Sequence, residues 1–362
     1  MNALRNLLLL LPLVAVAPAP GRAEPVTFGV IGDFGDDDDD TRAVAAMMHL
    51  WGLDLVVTVG DNDYSDGAHR GTDAGLEAGV GQYFADFVGD YHGAYGPGAT
   101  ENRFFPVPGD HDWGDTCDDP AGLDDYLAYF TLPTESSGNE RYYDFRRGPV
   151  HFFMLDSVED CEPDGTDVDS AQADWLRAAV AASSAPFKVV VSHHPPYSSG
   201  DHVGDGDHMR WGFAALGVSL VLSGHDHDYE RLAKDGLTYV VAGFGGNGLR
   251  DFASPVPESV VRFGDQHGAL LVTADDDLMT VVATTYEGVV VDAFTIAPDG
   301  TTTAITATPP PAAPVDLWPS GDDGGDGGGC AGGPVEGAPW LAVAGLIGLA
   351  TTRRRRQRTI VT

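Results

Sequence analysis

Five apolar runs in this chain stop at residues of the kind that ligate metals, and that recurrence limits the possible folds more than any other feature. VTFGVIGDFG reaches Asp33. LDLVVTVGDNDY reaches Asp61, with Tyr64 three positions on. RFFPVPGDHD reaches Asp110 and His111. FKVVVSHHPPY reaches His193, and VSLVLSGHDHDYER reaches His225 and His227. The runs are short, rich in Val, Phe and Leu, and mostly free of alternation, which suits strands buried on both faces. In four of the five a glycine precedes the first ligand, allowing a tight turn and close backbone approach. One Gly-Asp alone says little, because an Asp after a strand commonly caps the next helix. Five such strand ends together are hard to produce by chance, since loops after the strands of an open α/β sheet face a common crevice.

Helical patterns lie between the runs. TRAVAAMMHLWG follows the first, SAQADWLRAAVAAS precedes FKVVV with Ser170 as a start signal, and MRWGFAALG precedes VSLVL. The first half therefore reads as α/β, with sheet layers flanked by helices. After Thr238 strands dominate, through VVVDAFTIA to Pro298, and a second, more antiparallel sheet is expected there.

Flanking segments have other compositions. Residues 1–23 read as a secretory signal, with Arg5, an apolar run from Leu7 to Ala17 and small residues before Glu24. The folded domain is expected over 24–298. Residues 299–337 are Pro-, Gly- and Asp-rich, a linker composition. Residues 338–352 are apolar and 353–362 basic, with an Arg block at Arg353–Arg356. This tail is read either as a plain membrane anchor or as a surface anchor, since it resembles myxobacterial C-terminal sorting signals in which Cys330 would be processed or lipid-anchored. The expectation is an exported protein, secreted or held at the cell surface. Of three cysteines, Cys117 and Cys161 are expected to pair in an oxidising compartment.

The formal net charge of −35 argues against nucleic-acid binding, which calls for Lys and Arg facing phosphates. It fits an exported protein or one whose carboxylates hold cations. The DDDDD run, Asp36 to Asp40, reads as a solvated loop before a helix, where negative charge is favourable. The mixed oxygen and nitrogen donors suit Fe, Zn or Mn; calcium would not take so many imidazoles. Seven ligands exceed one tetrahedral site, so two ions about 3.5 Å apart, sharing a carboxylate, are the natural count.

GDFG, GDNDY, GDHD, VVSH and GHDH stand in the order and spacing of the five blocks of calcineurin-like metallophosphoesterases. Tyr64 narrows the resemblance to purple acid phosphatases, including the tartrate-resistant type, over roughly residues 26–295. The resemblance implies a four-layer α/β/β/α sandwich of two mixed sheets, with the active site at the C-terminal ends of the strands. It implies one metal on Asp33, Asp61, Tyr64 and His227, and a second on the bridging Asp61 with Asp110, His193 and His225. The ions would be Fe(III) with a divalent Fe, Zn or Mn. His111 resembles the phosphate contact. His202 sits where relatives carry a proton-donating histidine, and His111 is the alternative donor. The activity so implied is that of an acid phosphatase hydrolysing phosphomonoesters through attack by a metal-activated hydroxide. A phosphodiesterase or nucleotidase on the same scaffold is the alternative, as is a non-catalytic surface protein that binds metal or phosphate. His194 and Asp112 read as supports, and His92 and His208 as surface residues.

One position departs from the pattern. Most relatives carry Asn where this chain has Asp110. The protein ligands then sum to −4 rather than −3, which should bind the second ion more tightly, raise the working pH and weaken inhibition by phosphate.

Overall fold

Each ligand-bearing run forms a strand, and the strands divide between two sheets whose C-terminal edges meet. The computed structural model describes residues 21–65, 73–114, 117 and 123–312. In the first sheet β1 (Val26–Ile31), β2 (Leu55–Thr58) and β3 (Phe104–Phe105) run parallel. In the second, β4 (Tyr143–Arg147) is antiparallel to β5 (Val150–Met154). From there β6 (Phe187–Val191), β7 (Leu220–Ser223) and β9 (Leu237–Ala242) continue in parallel, with β8 (Tyr229–Lys234) and β10 (Ser259–Phe263) antiparallel at the edge. β1, β2, β5, β7 and β9 are almost wholly buried, which accounts for their unbroken apolar sequences.

The strands after Thr238 do not build a sheet of their own. β11 (Gly268–Ala274), β12 (Met279–Thr285), β13 (Val290–Ile296) and β14 (Thr302–Ala304) extend the first sheet antiparallel from β1, while β9 and β10, on either side of β8, belong to the second. The reason lies in β1, whose far edge carries backbone groups that need partners; β11 supplies them, with Val26 opposite Ala274. Two mixed seven-stranded sheets result, forming an α/β sandwich. They meet through an aromatic ladder. Phe105 and Phe145 stack at 3.7 Å, Phe145 and Phe152 at 4.7 Å, and Phe28 meets Phe152 edge-on at 5.0 Å. Such pairs contribute about 0.5–1.5 kcal/mol each beyond their burial.

Helix Asp39–His49 follows β1, and Asp38 caps it by accepting from the Thr41 amide at 2.7 Å. Such a cap is worth about 1 kcal/mol. The aspartate run is therefore more engaged than a solvated loop. Asp37 accepts from Gln82 Nε2 (2.7 Å) and the Tyr83 hydroxyl (3.0 Å), and Asp36 from Asn247 Nδ2 (3.0 Å). Helix Ala171–Ala182 starts at Ser170, whose hydroxyl accepts from the Ala173 amide. The MRWGFAALG pattern gives only the single turn Phe213–Leu216, because Gly212 and Gly217 bracket it in left-handed conformations, φ 69° and 79°.

The ordered chain runs past Pro298 into the stretch read as linker. β14 pairs with β13, and Trp51 Nε1 donates to the Pro311 carbonyl at 3.0 Å. The threonines of TTTA favour a strand, which outweighs the prolines behind them. Cys117 and Cys161 form a disulfide with Cα atoms 4.9 Å apart. Residues 1–20 of the signal-like segment, Cys330, the apolar run at 338–352 and the Arg block lie outside the described residues. Among the described residues no helix is long and apolar enough to cross a membrane.

Candidate metal centre

The backbone reverses sharply where the strands end. Asp33, Asp61 and His225 have φ of 55°, 53° and 68°. Left-handed conformations cost a non-glycine residue about 1–3 kcal/mol and persist only where the surroundings enforce them. Here the Asp33 amide donates to the Gly60 carbonyl at 3.1 Å. The His225 amide donates to the Asp33 carboxylate at 3.0 Å, and the His111 amide to Asp61 Oδ1 at 3.1 Å. Two glycines make room for this. A Cβ at Gly109 would lie 2.1 Å from Asp61 Oδ1, and one at Gly224 would lie 2.4 Å from Asp33 Oδ2.

Asp33, Asp61 and His227, all buried, present ligand atoms to one point. The Tyr64 hydroxyl joins them at 2.6 Å from Asp61 Oδ2, 3.2 Å from Asp33 Oδ1 and 3.0 Å from His227 Nε2. Asp61, Asp110 and His193 form a second group. His193 Nε2 lies 3.3 Å from Asp61 Oδ1 and 3.0 Å from Asp110 Oδ1, and His225 Nδ1 lies 3.1 Å from Asp110 Oδ1. The seven residues expected as ligands are thus together, in two groups that share Asp61.

Outer hydrogen bonds select which ring nitrogen faces in. His193 Nδ1 donates to the Val59 carbonyl (2.8 Å) and His227 Nδ1 to the Gly248 carbonyl (2.9 Å), so each turns Nε2 inward. His225 is reversed, with Nδ1 inward and Nε2 3.5 Å from Asp205 Oδ2.

The electrostatics call for cations. Burial, opposed by His193 and reinforced by Asp61, pushes the Asp33 carboxyl well above its usual range. Burial, then Asp61 and Asp33, push the Tyr64 phenol up. Burial opposes ionisation of Asp110, but hydrogen bonds from His193 and His225 outweigh it and hold the carboxyl far below its usual value. Burial opposes the charged form of His193 too, yet Asp61 and Asp110 raise it overall. Burial, then the charge of Arg250, bring His227 down to about 4. Acids facing one another, beside inward imidazole nitrogens, form a donor set that fits two metal ions.

The other expected residues surround this floor. His111 is one-third exposed, its ring 4.4 Å from that of Tyr64 and its Nε2 3.9 Å from Asp110 Oδ2. The His202 ring lies 4.3 Å from His225, with Nδ1 3.2 Å from Asp205 Oδ2. Asp112 holds the loop by accepting from the Asn62 amide (3.0 Å), Asn62 Nδ2 (2.9 Å) and the Gly109 amide (2.8 Å). Burial and Asp61 push its carboxyl up to about 8. His194 hydrogen-bonds Ser157 and also lies 4.0 Å from Asp110, closer to the centre than a support need be. His92 is exposed, but the His208 side chain is only 7% exposed, its Nε2 donating to the Ser157 carbonyl. It is not a surface residue, because the turn Asp207–Met209 folds it inward.

Sequence reasoning passed over Asn62, Asp205 and Arg250. Asp205, three residues after His202, had a spacing signal. Arg250 had none, because only the folded loop brings it to the centre.

Residues 26–229 match the calcineurin-like phosphoesterase family. Tartrate-resistant acid phosphatase type 5 of Rattus norvegicus is 26% identical over 296 residues, covering 71% of this chain and 83% of its own length. Purple acid phosphatase 22 of Arabidopsis thaliana is 29% identical over 276 residues, covering 70% and 59%. The purple acid phosphatase PPD1 from yellow lupin seeds superposes with a TM-score of 0.59 at 20% identity, over 77% of this chain and 55% of that one. GAP50, the anchor in the inner membrane complex of Plasmodium, shares the fold at a TM-score of 0.56 and 16% identity, over 78% and 90%.

Proposed function

The chain belongs to the calcineurin-like phosphoesterase family and is a phosphoester hydrolase, and from that premise we propose an exported acid phosphatase that cleaves phosphomonoesters at a binuclear metal centre. The observation that carries this reading is the pair of donor groups sharing Asp61. Asp33, Asp61, Tyr64 and His227 would hold Fe(III), since a phenolate suits a hard, highly charged ion. Asp61, Asp110, His193 and His225 would hold a divalent Fe, Zn or Mn. When bound, the two ions would supply the Lewis acidity that lowers the pKa of a water and offsets charge on phosphate oxygens.

The chain's own residues do the rest. His111, between the metal floor and solvent, holds the phosphate oxygens as they gain charge. His202, on the wall beside His225, passes a proton to the departing alkoxide. Asp112 and Asn62 fix the loop that carries Asp110 and His111, so the phosphate contact does not wander. The similarity to named acid phosphatases supports the monoester reading. The signal-like N-terminus and the Cys117–Cys161 disulfide support export, and the apolar, Arg-terminated tail supports attachment at the cell surface.

A substrate panel on the full mature chain tests the activity. Nitrophenyl phosphate should turn over much faster than its bis-ester, across an acid-to-neutral pH series. A preference for the bis-ester would make this a phosphodiesterase. No turnover of either, with metals bound, would leave a metal- or phosphate-binding surface protein.

A further inference from the structure

We propose that Arg250 is a phosphate-binding residue of this site and that it offsets the extra negative charge introduced by Asp110. The proposal rests on the phosphatase reading above.

The first observation is an arginine without an acid. The chain has 55 Asp and Glu against 20 Lys and Arg. Other buried or half-buried arginines satisfy their donors on protein: Arg141 pairs with Glu162 and Asp164 and Arg231 with Asp292, while Arg103 and Arg147 donate to backbone carbonyls. Among the described residues no carboxylate lies within ion-pair reach of Arg250. Its guanidinium instead touches Nε2 of His202. One imidazole nitrogen can accept only one of the five N–H donors. The other four lie in a half-buried position with no protein acceptor among the described residues.

The second observation is where those donors are held. The Arg250 amide donates to the His227 carbonyl at 3.1 Å, and Gly248, two residues earlier, accepts from His227 Nδ1. The segment that aims His227 at the centre is therefore the one that carries Arg250. The side chain ends on His202, whose ring lies 4.3 Å from His225. Asp205, His202 and Arg250 thus form one wall, while His111, beside Tyr64, stands on another side. A guanidinium in such a place presents a planar fork that matches two phosphate oxygens.

The third observation is the charge. With Asp110 the protein ligands sum to −4, which weakens attraction for an anion. Arg250 adds one positive charge at the rim of the same site. The hydrogen bonding also gives the movement a direction. A guanidinium donating to His202 Nε2 leaves the ring proton on Nδ1, facing Asp205 at 3.2 Å. Transfer of the guanidinium to phosphate frees Nε2 to take up the proton that His202 then passes to the departing alkoxide.

Calorimetric titration of inorganic phosphate into the metal-loaded full chain tests this, with metal content measured for each variant. Arg250→Ala should weaken phosphate binding about tenfold, roughly 1.4 kcal/mol, and Arg250→Lys should fall between. Asp110→Asn should tighten it by a similar factor, and the Asp110→Asn/Arg250→Ala pair should return near the parent value. His202→Ala should leave affinity equal or higher, because Arg250 is released. Unchanged affinity in Arg250→Ala, with metals retained and the parent binding phosphate, overturns the assignment alone. A metal-loaded parent that does not bind phosphate overturns the phosphatase reading along with it.

Discussion

Two groups of acids lie close together in this molecule, and only one of them has the donor set of a metal site. Asp33, Asp61 and Asp110 face His193, His225 and His227, each of which turns one ring nitrogen toward the carboxylates. Asp226, Asp228 and Glu230 alternate along the approach to β8 and meet no imidazole nitrogen. Asp226 accepts from the Ser198 hydroxyl and the His202 amide, and Glu230 from the amide (2.7 Å) and hydroxyl (2.6 Å) of Ser199. Among the described residues neither oxygen of Asp228 has a partner, and burial followed by Asp226 pushes its carboxyl up to about 9. Acid density is thus common to both. Convergent nitrogens of fixed tautomer separate the site from the scaffold, and the scaffold acids instead pin the Ser198–His202 loop.

The sharpest way to break this contrast is to make the same substitution in each group. Asp61→Asn removes the charge shared by both donor sets, and it should cost about 10³-fold or more in kcat together with bound metal. Asp228→Asn should keep both metals and most of the activity. Equal metal loss in the two variants would erase the distinction.

Asp110→Asn gives a smaller change. Removing one negative charge should tighten phosphate inhibition about tenfold, or 1.4 kcal/mol, and move the pH optimum down. Inhibition constants and rate profiles unchanged within error would show that charge at 110 does not set anion affinity.

A third contrast is read in stability rather than in activity. Asp228 binds its proton more tightly folded, at about 9, than unfolded, near 3.8. The folded state therefore holds the extra proton between those values, and the parent loses stability as pH rises through that window. The advantage of Asp228→Asn should be absent below about pH 4 and grow by up to about 1.4 kcal/mol per pH unit toward 9. Denaturation at pH 4 and pH 8 measures it; a difference that does not change with pH would mean that Asp228 is paired and ionised in the folded chain.

Much of the centre was legible because its chemistry is local. A strand and a ligand repeat five times, four of them with a glycine between, and each repeat is complete within a few residues. The tyrosine three positions after Asp61 belongs to the same turn. The rest depends on chain far apart in sequence. Arg250 arrives on a loop fixed by hydrogen bonds to distant residues, among them His227, Asp33 and Asp36. β8 reads YERLAK, and nothing local shows that Glu230 and Arg231 are buried, because Arg231 is neutralised by Asp292, 61 residues away. The joining of the C-terminal strands to β1 was hidden for the same reason, since register between distant strands leaves no periodicity in either.

Elemental analysis of the purified mature chain tests the central claim most directly. Two metal equivalents per folded chain, at least one of them iron, with a tyrosinate–iron absorption band lost in Tyr64→Phe, is the predicted result. A single equivalent that survives Asp61→Asn would contradict a centre built on a shared Asp61.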